Sequence, residues 1–467
     1  MWQKAFAVCL SWLAVYVAKT QDYNHLVLSG YHFIGMEKTR AWYVERELRY
    51  APGDTLMLDG LKEAVINLET DLRRTHLFTR FEVKPLIDYD SVATVRFFID
   101  VDENWYFYPS LIAELADRNF NVWWKEHRRS LERINLGFSL NHINLTGIQD
   151  DLRLNYHFGY TNRFALRYQR PAVSRNTAFG IGGAYYYTEY KETAVTTSGN
   201  KLVFVKDQSN ILYIKREVSA MAFYKFDKFW NFKLSLHHFN NTFSSEMAAA
   251  YPDFFLRGDS RQKYVQGLLT ANYASIDHSI RPSRGWIFTT QLRQTGIPGS
   301  DKFCDFSILQ TAKTAFMLTS QLRMEMAAAV RKSLTQEKVP YNLYKGIGYT
   351  DTNISGYEYY VIDGLDYGYL NNQLRIQIGS GRWTLFRIIK GEPVLRIKLD
   401  IDLSLQFNVA YVNDPFYKEN NPLVNTFLYS TGFGINFTVN DLVEFNALYS
   451  INHLAEKGIY FHTRRAF

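Results

Sequence analysis

From Leu395 to Tyr411 the chain alternates for seventeen residues without a break. Leu395, Ile397, Leu399, Ile401, Leu403, Leu405, Phe407, Val409 and Tyr411 form an apolar series; Arg396, Lys398, Asp400, Asp402, Ser404, Gln406 and Asn408 lie between them, with Ala410 closing the second series. Successive side chains of a strand point to opposite faces, so this run is one strand with an apolar and a polar face. The sheets of a globular sandwich do not use strands of that length. A tilted strand that crosses a bilayer in about ten residues and continues beyond it does.

The pattern recurs. Ile134, Leu136, Phe138 and Leu140 share one face; Asn135, Gly137, Ser139 and Asn141 share the other. Alternations and turns predict strands starting near 106, 132, 151, 163, 178, 210, 230, 262, 286, 303, 320, 368, 395, 427, 442 and 458. An even number brings both ends of a single-chain barrel to the same side. The expected fold is therefore an all-β transmembrane barrel of about 16 antiparallel strands over residues 104–467. Segments 144–150 and 277–285 then lie on the periplasmic side, and the long segments 193–208, 244–261 and 334–366 outside.

Composition fits without deciding. The chain carries 33 Tyr, 34 Phe and 9 Trp, yet its mean hydropathy is negative. No segment after the start approaches the run of about eighteen apolar residues that marks a transmembrane helix. Aromatic girdles on alternating strands give this combination, and so does a soluble all-β protein. A net charge of +7 arises from basic residues scattered among acids, with no nucleic-acid patch.

Residues 1–20 read as a signal peptide: Lys4, then an apolar run from Ala5 to Ala18 broken only by Ser11, then Lys19-Thr20-Gln21-Asp22. That run is too short to span a hydrocarbon core of about 30 Å as a helix. Cleavage after Ala18 would remove Cys9 and leave Cys304 without an intramolecular partner.

Residues 21–103 differ in texture. A strand near His25 leads to a helix capped by Thr39, then a second helix capped by Asp59, on which Leu61, Val65, Leu68 and Leu72 form one apolar stripe. Alternation over Phe81–Leu86 and Val92–Val101 completes the order β-α-α-β-β, a small α+β domain.

No catalytic constellation appears, and the chain reads as a non-enzyme. His237 and His238 point to opposite faces of a strand and cannot share a metal. Gly180-Ile181-Gly182-Gly183 lies inside an alternating strand, the wrong context for a phosphate loop. No metal or cofactor is expected. Asp277, Pro282 and Gly285 build a tight turn: proline fixes φ and glycine adopts a conformation other residues avoid.

This turn, among such strands and behind such a leader, resembles the periplasmic hairpin of the BamA/TamA superfamily of outer-membrane insertases. Gly35, Thr39, Arg46-Glu47-Leu48, Gly53-Asp54 and Leu77-Phe78 resemble the loose signature of one POTRA domain, the periplasmic module that precedes the barrel in that family. The run Asp117-Arg118-Asn119-Phe120-Asn121-Val122-Trp123-Trp124 is similar to small members from Bacteroidota. Family members carry Val/Ile-Arg-Gly-Phe/Tyr at the tip of a loop folded into the lumen. Ile354, Gly356 and Tyr357 match it, and Ser355 replaces the arginine.

The resemblance carries further implications. The family's lumenal acids that face the loop arginine map to Gln373 and Asn408, so the resemblance implies a charged cluster replaced throughout by neutral hydrogen-bonding groups. The closing strands hold Pro109, which removes a ladder donor, and Gly458, a poor strand former; Phe467 matches the family's terminal aromatic. The implied function is insertion of unfolded outer-membrane protein clients into the lipid bilayer, without cofactor or nucleic acid. Accessory periplasmic proteins or lipoproteins are compatible partners, and the implied location is the bacterial outer membrane with the N-terminal domain in the periplasm. The alternative is a pore that conducts a polypeptide or a solute.

Overall fold

The computed structural model describes residues 24–89, 93–174, 177–206, 211–227, 229–278, 280–387 and 393–465. The expected leader peptide and Phe467 lie outside the described residues. The chain forms two compact units, one reaching to Tyr106 and including Asn144–Asp150, the other made of Phe107–Ile143 and the residues from Asp151 onward.

The first unit contains β1 (His25–Ile34), α1 (Ala41–Glu47), β2 (Thr55–Met57), α2 (Leu61–Thr75), β3 (Phe78–Tyr89) and β4 (Ala93–Glu103). Its sheet has the order β2-β1-β4-β3, with β1 parallel to β4. The extra strand β2 spans three residues, too few for alternation to reveal it in the sequence. α2 packs against β3 and buries Leu68 and Leu72 completely, as its stripe predicts.

The two expected helix caps are not formed. α1 starts after Arg40 and α2 after Gly60, neither with a side-chain cap. The Thr39 hydroxyl instead lies 2.9 Å from the Tyr106 hydroxyl and accepts from Asn144 Nδ2 at 2.9 Å. The segment Asn144–Asp150 serves the helix: the Gly147 carbonyl accepts from the Arg40 N–H at 2.8 Å. Gly147 sits at φ +86°, and a Cβ there would lie 2.2 Å from the Lys38 carbonyl oxygen, so glycine is required.

The second unit opens with β5 (Phe107–Leu115), α3 (Phe120–Lys125), β6 (Ile134–Ile143), β7 (Asp151–Gly159), β8 (Thr161–Arg170) and β9 (Phe179–Tyr190). A separate hairpin of β10 (Glu192–Ser198) and β11 (Lys201–Lys206) follows. Then come β12 (Tyr213–Lys225), β13 (Trp230–Phe243), α4 (Ser245–Ala250), β14 (Arg261–Ala274), β15 (Gly285–Thr295), β16 (Asp305–Met317) and β17 (Leu322–Ser333). The chain closes with β18 (Asp366–Arg387), β19 (Pro393–Asn413), β20 (Phe427–Val439), β21 (Val443–Asn452) and β22 (Lys457–Arg465).

Sixteen of these strands form one antiparallel sheet in chain order from β5 to β22, omitting only the β10–β11 hairpin. Their starts fall within three residues of those expected from alternation. Along β19 the alternation becomes burial: Phe407 is 52% exposed and Asn408 is 3% exposed. The apolar face looks out and the polar face looks into the interior, the inverse of a soluble sheet. No helix among the described residues is long and apolar enough to cross a membrane.

Candidate functional site

The long connection between β17 and β18 folds back onto the inward faces of β18 to β21. Ile354 and Tyr357, each 1% exposed, enter a core with Ile347, Ile362, Ala410, Val412 and Leu428. An antiparallel bridge of Ile347 with Ile362, both hydrogen bonds at 2.9 Å, closes the base of the connection. Polar groups fix its tip. Ser355 Oγ donates to Gln406 Oε1 at 2.9 Å, and Ser430 Oγ donates to the Ser355 carbonyl at 2.5 Å. Asn452 Nδ2 donates to the Gly356 carbonyl at 2.9 Å, and the Tyr357 hydroxyl donates to the Tyr429 carbonyl at 2.9 Å.

Two features favour glycine at position 356. Its φ is +91°, and a Cβ would lie 2.9 Å from Ser430 Cβ. Glu358, fully buried, turns back to accept the Gly356 N–H at 2.8 Å. Its other carboxylate oxygen lies 3.2 Å from His462 Nε2 of β22, and its carbonyl accepts from Asn119 Nδ2 at 2.9 Å.

Of the two expected docking residues, Asn408 reaches the tip through a relay: its Nδ2 donates to Ser430 Oγ at 3.2 Å. Gln373 does not reach it. Its Oε1 accepts from Arg375 Nη2 at 2.7 Å, because the guanidinium two residues along the same face is 1% exposed and needs acceptors. Gln406, the residue directly opposite Gln373 in the β18–β19 register, takes the loop serine instead.

Buried charge therefore sits in the wall. Arg375 Nε lies 3.2 Å from Glu325 Oε1, and its two Nη atoms pair with both carboxylate oxygens of Glu444. Arg323 joins Glu325 at 3.0 Å to Asp402 at 3.1 Å. Opposite charges from four strands compensate one another, so no member of the cluster is a lone buried ion.

At the opposite end of the sheet, the turn between β14 and β15 is organised by Asp277. Its Oδ1 accepts the N–H groups of His278 and Ser283 at 2.9 Å and of Arg284 at 3.3 Å, and Ser283 Oγ donates to Oδ2. Burial disfavours its ionised form, but these donors outweigh that and hold its pKa below the ordinary carboxylate value. Gly285 has φ +115°, and a Cβ would come within 2.5 Å of the Ser275 carbonyl oxygen. Pro282 occupies the turn between Arg281 and Ser283. Arg281 donates to Asp402 at 3.0 and 2.7 Å. Since β19 lies four strands beyond β15 in the sheet, this contact crosses the interior.

The seam residues lie at the two ends of the sheet. Pro109 stands opposite Leu140 in the β5–β6 ladder, and Gly458 opposite Ser450 in the β21–β22 ladder. Among the described residues no register pairs β5 with β22.

No family model matches the chain, and no curated protein does. Solved structures do. BamA from Haemophilus ducreyi lacking POTRA domains 1–3 aligns with a TM-score of 0.60 at 14% identity, over 94% of this chain and 84% of that one. CdiB from Escherichia coli aligns with a TM-score of 0.57 at 12% identity, over 94% and 75%. CdiB from Acinetobacter baumannii gives 0.54 at 11% identity, over 94% and 73%. The fold is that of the BamA and CdiB barrels.

Several residues that organise this site carry weak signals in the sequence. Gln406 stands in the inward series of β19, two positions from Asn408, and only the strand register tells them apart. Arg375 and Arg281 are single arginines whose partners lie on remote strands. Asn121 was legible only as part of the run 117–124, and it proves to meet β22.

Proposed function

We propose that this chain inserts unfolded outer-membrane protein clients into the bacterial outer membrane, with the N-terminal unit as a periplasmic POTRA domain. The observation that carries the reading is a sixteen-stranded antiparallel sheet that follows an α+β unit and has β5 and β22 as its terminal strands, in a fold shared with the BamA and CdiB barrels. The edge of a terminal strand can serve as a template for another chain. In lipid each unsatisfied backbone polar group costs several kcal/mol, so a client strand gains strongly by pairing before it enters. The client's own folding supplies the free energy, and the step calls on no cofactor, nucleotide or catalytic residue. β3, at one edge of the N-terminal sheet, offers a site where an extended client segment adds as a strand.

A second reading, a pore for a polypeptide or a solute, draws on the interior. Beside β5 to β13 lies a cavity of about 1370 Å³ lined by Arg163, Arg167, Lys215, Glu217 and other polar groups. Reconstitution into liposomes separates the two. Faster folding of a denatured reporter barrel than in empty liposomes supports insertion. Solute efflux with no change in reporter folding would establish the pore and overturn insertion.

A further inference from the structure

The short helix α3 follows β5 after a four-residue link, 116–119. Its second residue, Asn121, is 3% exposed, and its carboxamide makes two hydrogen bonds to one residue of the last strand. Asn121 Oδ1 accepts the Phe461 N–H at 2.8 Å, and Asn121 Nδ2 donates to the Phe461 carbonyl at 3.1 Å. A carboxamide has the donor and acceptor of a peptide group, so this side chain reproduces what a neighbouring strand offers to a residue of the ladder. Phe461 turns these groups away from Ala447, its partner on β21, toward the side of β22 where no strand is paired among the described residues. Its own ring is half-exposed on the outer face and meets Phe120 edge-on at 6.1 Å.

α3 is held in that place from behind. Asn119 caps it by accepting the Val122 N–H at 2.9 Å, and its amide also donates to the Glu358 carbonyl at 2.9 Å. Arg118 donates to the carbonyls of Gly348 at 2.8 Å and Tyr360 at 3.0 Å. The inward connection thus anchors the helix, and the helix occupies the strand edge.

We infer that α3 is a built-in cap on the edge of β22 at Phe461, with Asn121 standing in for a strand backbone, and that an extended strand of an incoming polypeptide displaces it. The inference rests on the insertion reading for its partner, while the cap itself stands on the contacts above. Two neutral hydrogen bonds suit such a device: they mask the edge, yet exchanging them for a ladder keeps the Phe461 N–H and carbonyl paired and strands no charge.

The test uses the full-length protein in liposomes. Asn121→Ala should speed hydrogen exchange of the Phe461 amide at least tenfold. A photoreactive residue at Thr463 should then capture more denatured reporter barrel, severalfold above the parent. A Phe120→Cys/Phe461→Cys pair in a Cys304→Ser background, oxidised, should lower capture, and reductant should restore it. Unchanged Phe461 exchange in Asn121→Ala would overturn the edge contact. Equal capture by the parent, Asn121→Ala and the locked pair would overturn displacement. Altered capture without any reporter insertion, even by the parent, would leave the cap standing and remove the insertion reading.

Discussion

Replacing Gly356 by alanine should release the tip of the inward connection without unfolding the sheet. Two costs are visible in the structure. At φ +91° a residue with a Cβ pays about 1–2 kcal/mol of backbone strain. The new Cβ would also lie 2.9 Å from Ser430 Cβ, so Ser430 must move and its bond to the Ser355 carbonyl is lost, about 1 kcal/mol more. The sum is about 2–3 kcal/mol of local destabilisation. The amides of Ile347 and Ile362, which bond each other's carbonyls at 2.9 Å, report it directly. If they exchange by local opening, their rates should rise about 30- to 140-fold, since each 1.4 kcal/mol is tenfold. The companion Ser430→Gly removes the atom that clashes but not the strain. Gly356→Ala combined with Ser430→Gly should therefore recover about 1 kcal/mol relative to the sum of the single changes. Native-state hydrogen exchange in detergent micelles is the assay. Unaltered exchange at Ile347 and Ile362 in Gly356→Ala, or strict additivity of the pair, would refute the docked geometry.

Two further outcomes follow from the charges. Arg375→Ala should strand Glu444, 3% exposed, as an unpaired buried acid and lower the unfolding temperature on semi-native gels, with a loss of about 3–5 kcal/mol; adding Glu444→Gln should recover part of it, and no recovery would mean the two do not act as a pair. Asp277, whose folded pKa is depressed, stabilises its turn above the ordinary carboxylate value near ~4 and loses that contribution as pH falls through the lower folded value. Pepsin nicking within 277–285 should accordingly increase as the medium is acidified from pH ~4 to ~2, and Asp277→Asn should flatten that dependence; an identical profile in the variant would exclude Asp277 as the titrating group.

The fold was legible because membrane strands have one requirement repeated many times. Each must alternate, so β19 announces itself through seventeen residues and the weaker strands fall into place around it. What stayed hidden depends on register and on long-range partners. Gln373 and Gln406 are both glutamines on inward faces, directly opposite each other, and only the buried Arg375 beside one of them decides which is left to meet Ser355. The helix caps failed for a related reason. Thr39 has the chemistry of an N-cap, but Tyr106 and Asn144 occupy its hydroxyl, and the Gly147 carbonyl supplies the acceptor for Arg40 that opens α1. β2, three residues long, offers no period to detect.

The distribution of charge separates the parts that must stay from the parts that can move. Arg375 ties Glu325 to Glu444, and Arg323 and Arg281 both reach Asp402; withdrawing Arg375 would leave Glu444 without a cationic partner in the interior. The tip of the inward connection and the cap on β22 are secured mainly by hydrogen bonds of the neutral Ser355, Ser430, Asn452, Asn119 and Asn121, with Arg118 donating to loop carbonyls rather than to an acid. Each of these bonds contributes about 1 kcal/mol net, because water or another peptide group can replace either partner. Glu358, fully buried, is shared: its carboxylate meets Gly356 on the tip and His462 on β22, and its carbonyl meets Asn119 before α3. Shifting that residue would loosen the tip, the cap and the strand edge together. A wall locked by ion pairs beside a tip and a cap held by exchangeable hydrogen bonds lets the edge of β22 open while the rest of the sheet keeps its register.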